Sequence, residues 1–168
     1  GLILSSLAAA GVRGLHLDLG HVGVYRALAA GAGISGNLDD TELFAALRAK
    51  DVPTVADLTA KLPAAWRDAL TALPTLYGPA EDVLAAARAA LPDTPAIRNA
   101  LAALAALARS GEPLVEALHI DLADLAGYHY HSGAIFSVFT AGETDSIGRG
   151  GRYDGVGKAF GRARPATG

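Results

Sequence analysis

Leu15, Leu17 and Leu19 alternate with His16 and Asp18 between two glycines. A period of two marks a strand with one buried face, so residues 14–20 are expected to form one. Residues 2–10 read as the last turns of a helix, with Gly11 as its stop. After the strand the period lengthens. Residues 22–30 read as a short helix ending in a glycine-rich loop. Asp39 or Asp40 can cap a helix running to Lys50, with Leu43, Phe44 and Leu47 on one face. Pro53 and Thr54 open another, with Val55 and Leu58 inward, and Pro63 suits the first turn of a third, which carries Trp66. Val83, Leu84, Ala87 and Leu91 stripe residues 81–91. Asp93, Thr94 and Pro95 open a helix over 96–109, lined by Ile97, Leu101, Leu104 and Ala108. Strand signals return at residues 119–122 and in the β-rich run 133–140. A hairpin turn at 141–145 leads into a glycine-laden strand over 146–153.

This order is helix, strand, helical block, then three strands. It predicts an α+β fold in which residues 1–21 and 111–168 form the sheet core and residues 22–110 a helical insertion.

Composition narrows the possibilities. The chain has 168 residues, 51% hydrophobic and 18% charged, enough for one domain with a buried core. It has no cysteine, which excludes a disulfide framework, a thiolate zinc site and a cysteine nucleophile. It also has no methionine, even at position 1, so the chain is expected to be a piece of a longer protein. The net charge of −3 excludes a chain-wide basic footprint for nucleic acid. The charge is nonetheless uneven. Residues 111–148 carry Glu112, Glu116, Asp121, Asp124, Glu143 and Asp145 and no base. Residues 149–168 carry Arg149, Arg152, Lys158, Arg162 and Arg164 against Asp154. The basic tail can meet a phosphate, a carboxylate or its own acidic neighbour. The apolar start, residues 2–12, has no positive segment before it and is too short to span a bilayer. His129, His131 and Ser132 make residues 125–142 a poor span. No membrane association is expected, and the cytoplasm is the expected compartment.

Residues 31–36 match GxGxxG, but a helix precedes them and no helix follows directly, so a helix-to-helix connection fits better than a dinucleotide loop. Residues 157–159 lack the remainder of a P-loop. On a strand, His129 and His131 would share a face, as Tyr128 and Tyr130 would the other, yet no third metal ligand is near; no metal or cofactor is expected. The densest unusual stretch is residues 148–155, Gly-Arg-Gly-Gly-Arg-Tyr-Asp-Gly. Glycine weakens a strand unless a backbone or ligand must come close, and arginine offers a rigid fork to a carboxylate or phosphate. The stretch reads as a pocket floor, or as a bulged strand whose arginines pair with Asp121 or Asp124.

The run Gly-Gly-Arg-Tyr-Asp-Gly at 150–155 resembles the second histidine-specific motif of histidyl-tRNA synthetases. Residues 124–133 resemble a degraded form of the first, which in synthetases reads Arg-Gly-Leu-Asp-Tyr-Tyr. The motif arginine falls at Ala126, its aspartate at His129 and its second tyrosine at His131. With residues 127–133 and 161–168 (Gly-Arg-Ala-Arg-Pro-Ala-Thr-Gly), this pattern resembles the regulatory subunits of ATP phosphoribosyltransferase, paralogues of the synthetases that do not charge tRNA.

The resemblance implies a partial class II aminoacyl-tRNA synthetase-like antiparallel sheet core, with class II motifs 1 and 2 before Gly1 and motif 3 after Gly168. It implies self-association as a dimer, and a hetero-octamer with a short-form ATP phosphoribosyltransferase catalytic subunit. It further implies support of the first step of histidine biosynthesis, with L-histidine as feedback effector. Its carry-over of histidine-binding residues is Tyr130, His131, Gly150, Gly151, Arg152 and Tyr153, with no catalytic residue. Two rivals stand beside it: a divergent histidyl-tRNA synthetase, and a helical interaction module with a vestigial pocket.

Overall fold

The computed structural model describes residues 1–168 apart from 35–40, 156, 158–160 and 163. Asp39, Asp40 and the last two residues of the 31–36 glycine motif therefore lie outside the described residues; the helix expected to be capped by either aspartate is capped by Thr41, whose Oγ1 accepts from Phe44 N–H at 3.1 Å. Helix α1 (Leu2–Ala9) leads to β1 (Leu15–His21). Helices α2 (Val22–Gly31), α3 (Glu42–Arg48), α4 (Val52–Thr59) and α5 (Ala64–Ala72) follow, then a short strand β2 (Tyr77–Pro79). Helices α6 (Ala80–Ala90) and α7 (Pro95–Gly111) precede β3 (Ala117–Asp121), β4 (Ala134–Thr140) and β5 (Gly148–Gly151).

The five strands form one sheet in the order β2-β3-β1-β4-β5. The α+β class is as expected. Three of the four pairings are antiparallel, but β1 and β3 run parallel, with Leu17 beside Leu118 and Leu19 beside Ile120. The long helical excursion between them returns the chain to the end where β1 began, and a crossover of that kind gives parallel strands. Strand β2 corrects the all-helical reading of residues 22–110. Its proline is tolerated because β2 lies at the sheet edge.

Side-chain alternation divides the sheet. Leu15, Leu17 and Leu19 share a face with Val138 and Ile120, and all five are buried. Helices α2 and α7 pack beneath this face in one continuous hydrophobic cluster. The other face carries His16, Asp18, His119 and Ser137. Helix α6 buries Val83, Leu84 and Ala87, and α7 buries Ile97, Leu101, Leu104 and Ala108, the stripes expected of them. Leu58 was expected inward but is exposed. Thr59 is buried instead, its hydroxyl donating back to the carbonyl of Val55 at 2.7 Å.

Helix ends are built locally. After α1, Gly11 N–H bonds Ala8 O and Val12 N–H bonds Leu7 O, with Gly11 at φ +84°; this is a Schellman close. The same pattern closes α3, with Lys50 in the left-handed position at φ +55°. A lysine there is strained. Its ammonium is held by both oxygens of Asp121, at 2.7 and 2.8 Å, and lies 4.7 Å from the ring centroid of Tyr77.

His21 caps α2: its Nδ1 accepts from Gly23 N–H at 3.1 Å. That bond requires an unprotonated Nδ1, and burial lowers the pKa of His21 as well. Burial likewise lowers the pKa of His131. The unfolded chain therefore takes up protons at a higher pH than the native one. Stability is complete above about pH 6.5, the unfolded value, and declines as pH falls toward the depressed native values. Urea unfolding at pH 7.5 and pH 5.5 should show this loss. His21→Asn, which keeps a cap acceptor but does not titrate, should reduce it, and His21→Ala should cost about 0.5–2 kcal/mol at pH 7.5.

Candidate functional site

After β3 the chain leaves the sheet through two Asx turns. Asp121 Oδ1 accepts from Ala123 N–H at 2.9 Å and Asp124 Oδ1 from Ala126 N–H at 3.0 Å. A tight turn follows, in which Tyr130 and His131 N–H both donate to Gly127 O, at 3.1 and 2.9 Å. Gly127 has φ +65°, and a Cβ on it would lie 2.6 Å from His131 Cδ2, so the turn requires glycine. Tyr128 anchors the turn. Its buried ring packs edge-on against Tyr25 and Phe44, with centroids 5.6 and 5.4 Å away. Arg26 donates to the Tyr128 carbonyl at 2.6 Å, and its guanidinium stands 4.5 Å over the ring.

The strand assumed for His129 and His131 is thus a turn, and the two imidazoles do not share a face. His129 is exposed and His131 is buried. Of the two tyrosines, Tyr128 belongs to the core and Tyr130 faces solvent. Among the described residues no group of three His, Asp or Glu is placed to hold a metal.

Strand β5 forms the facing wall, and close approach explains its glycines. A Cβ on Gly148 would lie 2.7 Å from Ile3 Cδ1. One on Gly150 would collide with the carbonyl of Gly168. One on Gly151 would lie 2.7 Å from Ala134 O and 2.8 Å from His131 Cε1 and Nδ1. The last residues run antiparallel beside β5, joined by Gly151 N–H to Gly168 O at 2.8 Å and Tyr153 N–H to Ala166 O at 2.9 Å. The expected arginine pairings are absent. Arg152 pairs with Asp154 at 2.8 Å, while Arg149 donates to Ser146 Oγ from Nε and Nη2 at 3.1 and 2.6 Å. Asp121 is occupied by Lys50.

Turn and strand enclose a pocket of about 260 Å³. Tyr130, His131, Gly150 and Tyr153 line it together with Ala126, Asp124 and Arg149. Gly151 lies under the His131 ring. Arg152 does not reach this pocket; it borders a separate, mostly apolar cavity of about 560 Å³ on the helix side of the sheet, with His21 and Leu107. The register of β5 accounts for the split. Arg149 pairs with Ser137, a pocket residue, and Gly151 with Ile135, so Arg152 falls an odd step away on the opposite face. Period two within the 148–152 run was the signal that separates the two arginines. Asp124 carried no such mark.

His131 is 7% exposed, and its Nδ1 has no hydrogen-bond partner. Burial keeps the imidazole neutral, leaving a polar nitrogen able to accept or donate according to its tautomer. Tyr130 and Tyr153 flank it, with ring centroids at 4.5 and 6.1 Å. The pocket therefore offers aromatic faces, a carboxylate and a guanidinium. That set is chemically suited to a small polar ligand held by hydrogen bonds and charge.

The family model for histidyl-tRNA synthetase matches residues 1–168. An ATP phosphoribosyltransferase regulatory subunit from Ralstonia nicotianae is 57% identical over 167 residues, 99% of this chain; the chain spans 42% of that relative's length. A crystal structure titled ATP phosphoribosyltransferase regulatory subunit/histidyl-tRNA synthetase, from Bacillus halodurans, superposes with a TM-score of 0.81 at 24% identity, over 99% of this chain and 44% of its own. An ATP phosphoribosyl transferase complex from Thermotoga maritima gives 0.65 at 16%, over 93% and 55%. The last two likenesses are of fold.

Gly151→Ala should force the His131 ring and the β4 carbonyl apart. A loss of about 1–3 kcal/mol in denaturant unfolding is expected, with a shifted His131 imidazole resonance in NMR. Gly155→Ala, where a Cβ meets nothing within 4 Å, should change neither.

Proposed function

We infer, from the premise that this chain belongs to the histidyl-tRNA synthetase family, that it is a section of a regulatory subunit of ATP phosphoribosyltransferase. In this reading the protein is non-catalytic, works in the cytoplasm, supports the first step of histidine biosynthesis and conveys inhibition by histidine. The observation that carries the reading is the 57% identity, across 99% of this chain, to a relative of that name. Ala126 in the pocket wall agrees with it: the synthetase motif it resembles has an arginine there, and a methyl group cannot stabilise charge developing on a carboxylate being activated.

The partner is a short-form catalytic subunit, in a hetero-octamer built on dimers of the regulatory protein. The effector site is the pocket of Tyr130, His131, Gly150 and Tyr153, with Gly151 giving the His131 ring its room. Arg152 acts at one remove. Its partner Asp154 also accepts from Ala166 N–H at 3.2 Å, which ties down the segment beside β5. Regulation is then linkage: histidine shifts the partner's activity to the extent that it binds one arrangement of the complex better than another.

Reconstitution tests this. The full-length protein is mixed with a short-form catalytic subunit, and condensation of ATP with phosphoribosyl pyrophosphate is followed with and without histidine. A rise in rate on mixing, suppressed by histidine, is expected. No effect on rate, together with histidine-dependent pyrophosphate exchange by the full-length protein alone, would identify a working synthetase instead. Within the complex, Tyr130→Ala should raise the histidine concentration needed for half-inhibition about 2- to 13-fold, the worth of one aromatic contact, and leave the uninhibited rate unchanged.

A further inference from the structure

Resting on the effector role given to this pocket, we propose that Arg149 and Asp124 bind the carboxylate and the ammonium of the amino-acid ligand, whose side chain then lies against His131. Arg149 lies on the pocket face of β5, in register with Ser137. Its guanidinium is oriented by Ser146, which takes two of its five N–H groups and leaves three for a ligand. Among the described residues no carboxylate pairs with it. An arginine fork so placed matches a carboxylate in two-point geometry.

Asp124 enters from the opposite wall, on the turn. Its Oδ1 is fixed by Ala126 N–H, so the carboxylate is held in place before any ligand arrives. Between the two walls stands the ring of His131, more than nine-tenths buried, with its Nδ1 edge packed against the β5 backbone at Gly151. The His131, Tyr130 and Tyr153 rings supply flat faces for a planar side chain. The volume, about 260 Å³, falls below the roughly 300–1,000 Å³ of sites for larger ligands. It has room for one amino acid. A free α-amino acid with a planar side chain meets every group in the pocket. A ligand lacking either charge leaves one of them unmet.

Titration calorimetry on the full-length protein tests this with three probes: L-histidine; histamine, which lacks the carboxylate; and imidazolepropionate, which lacks the ammonium. The wild type should bind histidine about 10- to 100-fold tighter than either analogue, the worth of one charge-assisted pair. Arg149→Met should weaken histidine by that factor and leave histamine unchanged, so that its preference collapses. Asp124→Asn, which keeps the oxygen that accepts from Ala126, should weaken histidine and leave imidazolepropionate unchanged. A merely structural role for Arg149 would weaken histidine and histamine equally, and that result overturns the assignment. So does full histidine affinity in Arg149→Met with the wild type binding normally. Failure of the wild type to bind histidine at all removes the effector reading itself, and this assignment with it.

Discussion

The pairing of β1 with β3 on one side and β4 on the other sets the two faces on which the rest of the molecule is built. Leu17 stands between Leu118 and Val138, and Asp18 between His119 and Ser137. A one-residue slip would exchange every side chain between faces, burying Asp18 and exposing the leucines. The leucine face is closed by α2 and α7. The polar face stays open, with Asp18 and His119 in contact at 3.7 Å. Partial burial still pushes the Asp18 carboxyl up, and the imidazole beside it offsets part of that rise. Because β3 ends and β5 runs at this open face, the turn at 124–131 and the glycine strand meet across it.

The turn is also tied to the helical layer. Tyr128 is wedged between Tyr25 of α2 and Phe44 of α3, and Arg26 of α2 holds its carbonyl. Moving the turn means moving Tyr128, which disturbs two helices at once. A displacement of Tyr130 and His131 is therefore not confined to the pocket. It is shared with packing that begins about 100 residues earlier in the chain, as the 102-residue separation of the Arg26–Tyr128 bond illustrates.

Much of this architecture was legible in the sequence because it depends on local periodicity. The strand at 15–21, the stripes of α6 and α7 and the proline-led starts of α4 and α7 are written in side-chain spacing. Strand β2 was not, because Tyr-Gly-Pro has neither length nor alternation; it exists because β3 offers an edge. Nor was the burial of Thr59 over Leu58, which turns on a hydroxyl finding a carbonyl within its own helix. The turn at 124–131 hid behind an alternation of Tyr and His that imitates a strand, although Gly127 was the residue that breaks one. In the pocket, residue types were legible but faces were not. Arg152 is the motif residue, but the odd step that separates it from Arg149 is set by the register of β5.

Departures from the most stable arrangement gather at this one place. His131 keeps a buried nitrogen without a partner, a group that ordinarily costs about 1–3 kcal/mol. Three of the four residues of β5 are glycine, each weakening the strand. Lys50 holds a left-handed backbone to reach Asp121, where the site's loop begins. None of these improves the core, which is filled by Leu, Val and Ala elsewhere. The chain is locally consistent through its helices and gives up stability around this 260 Å³ space. The strain is tolerable because the elements beneath it are ordinary: leucine-faced strands on alanine-rich helices, with caps and glycine stops where the chain must turn.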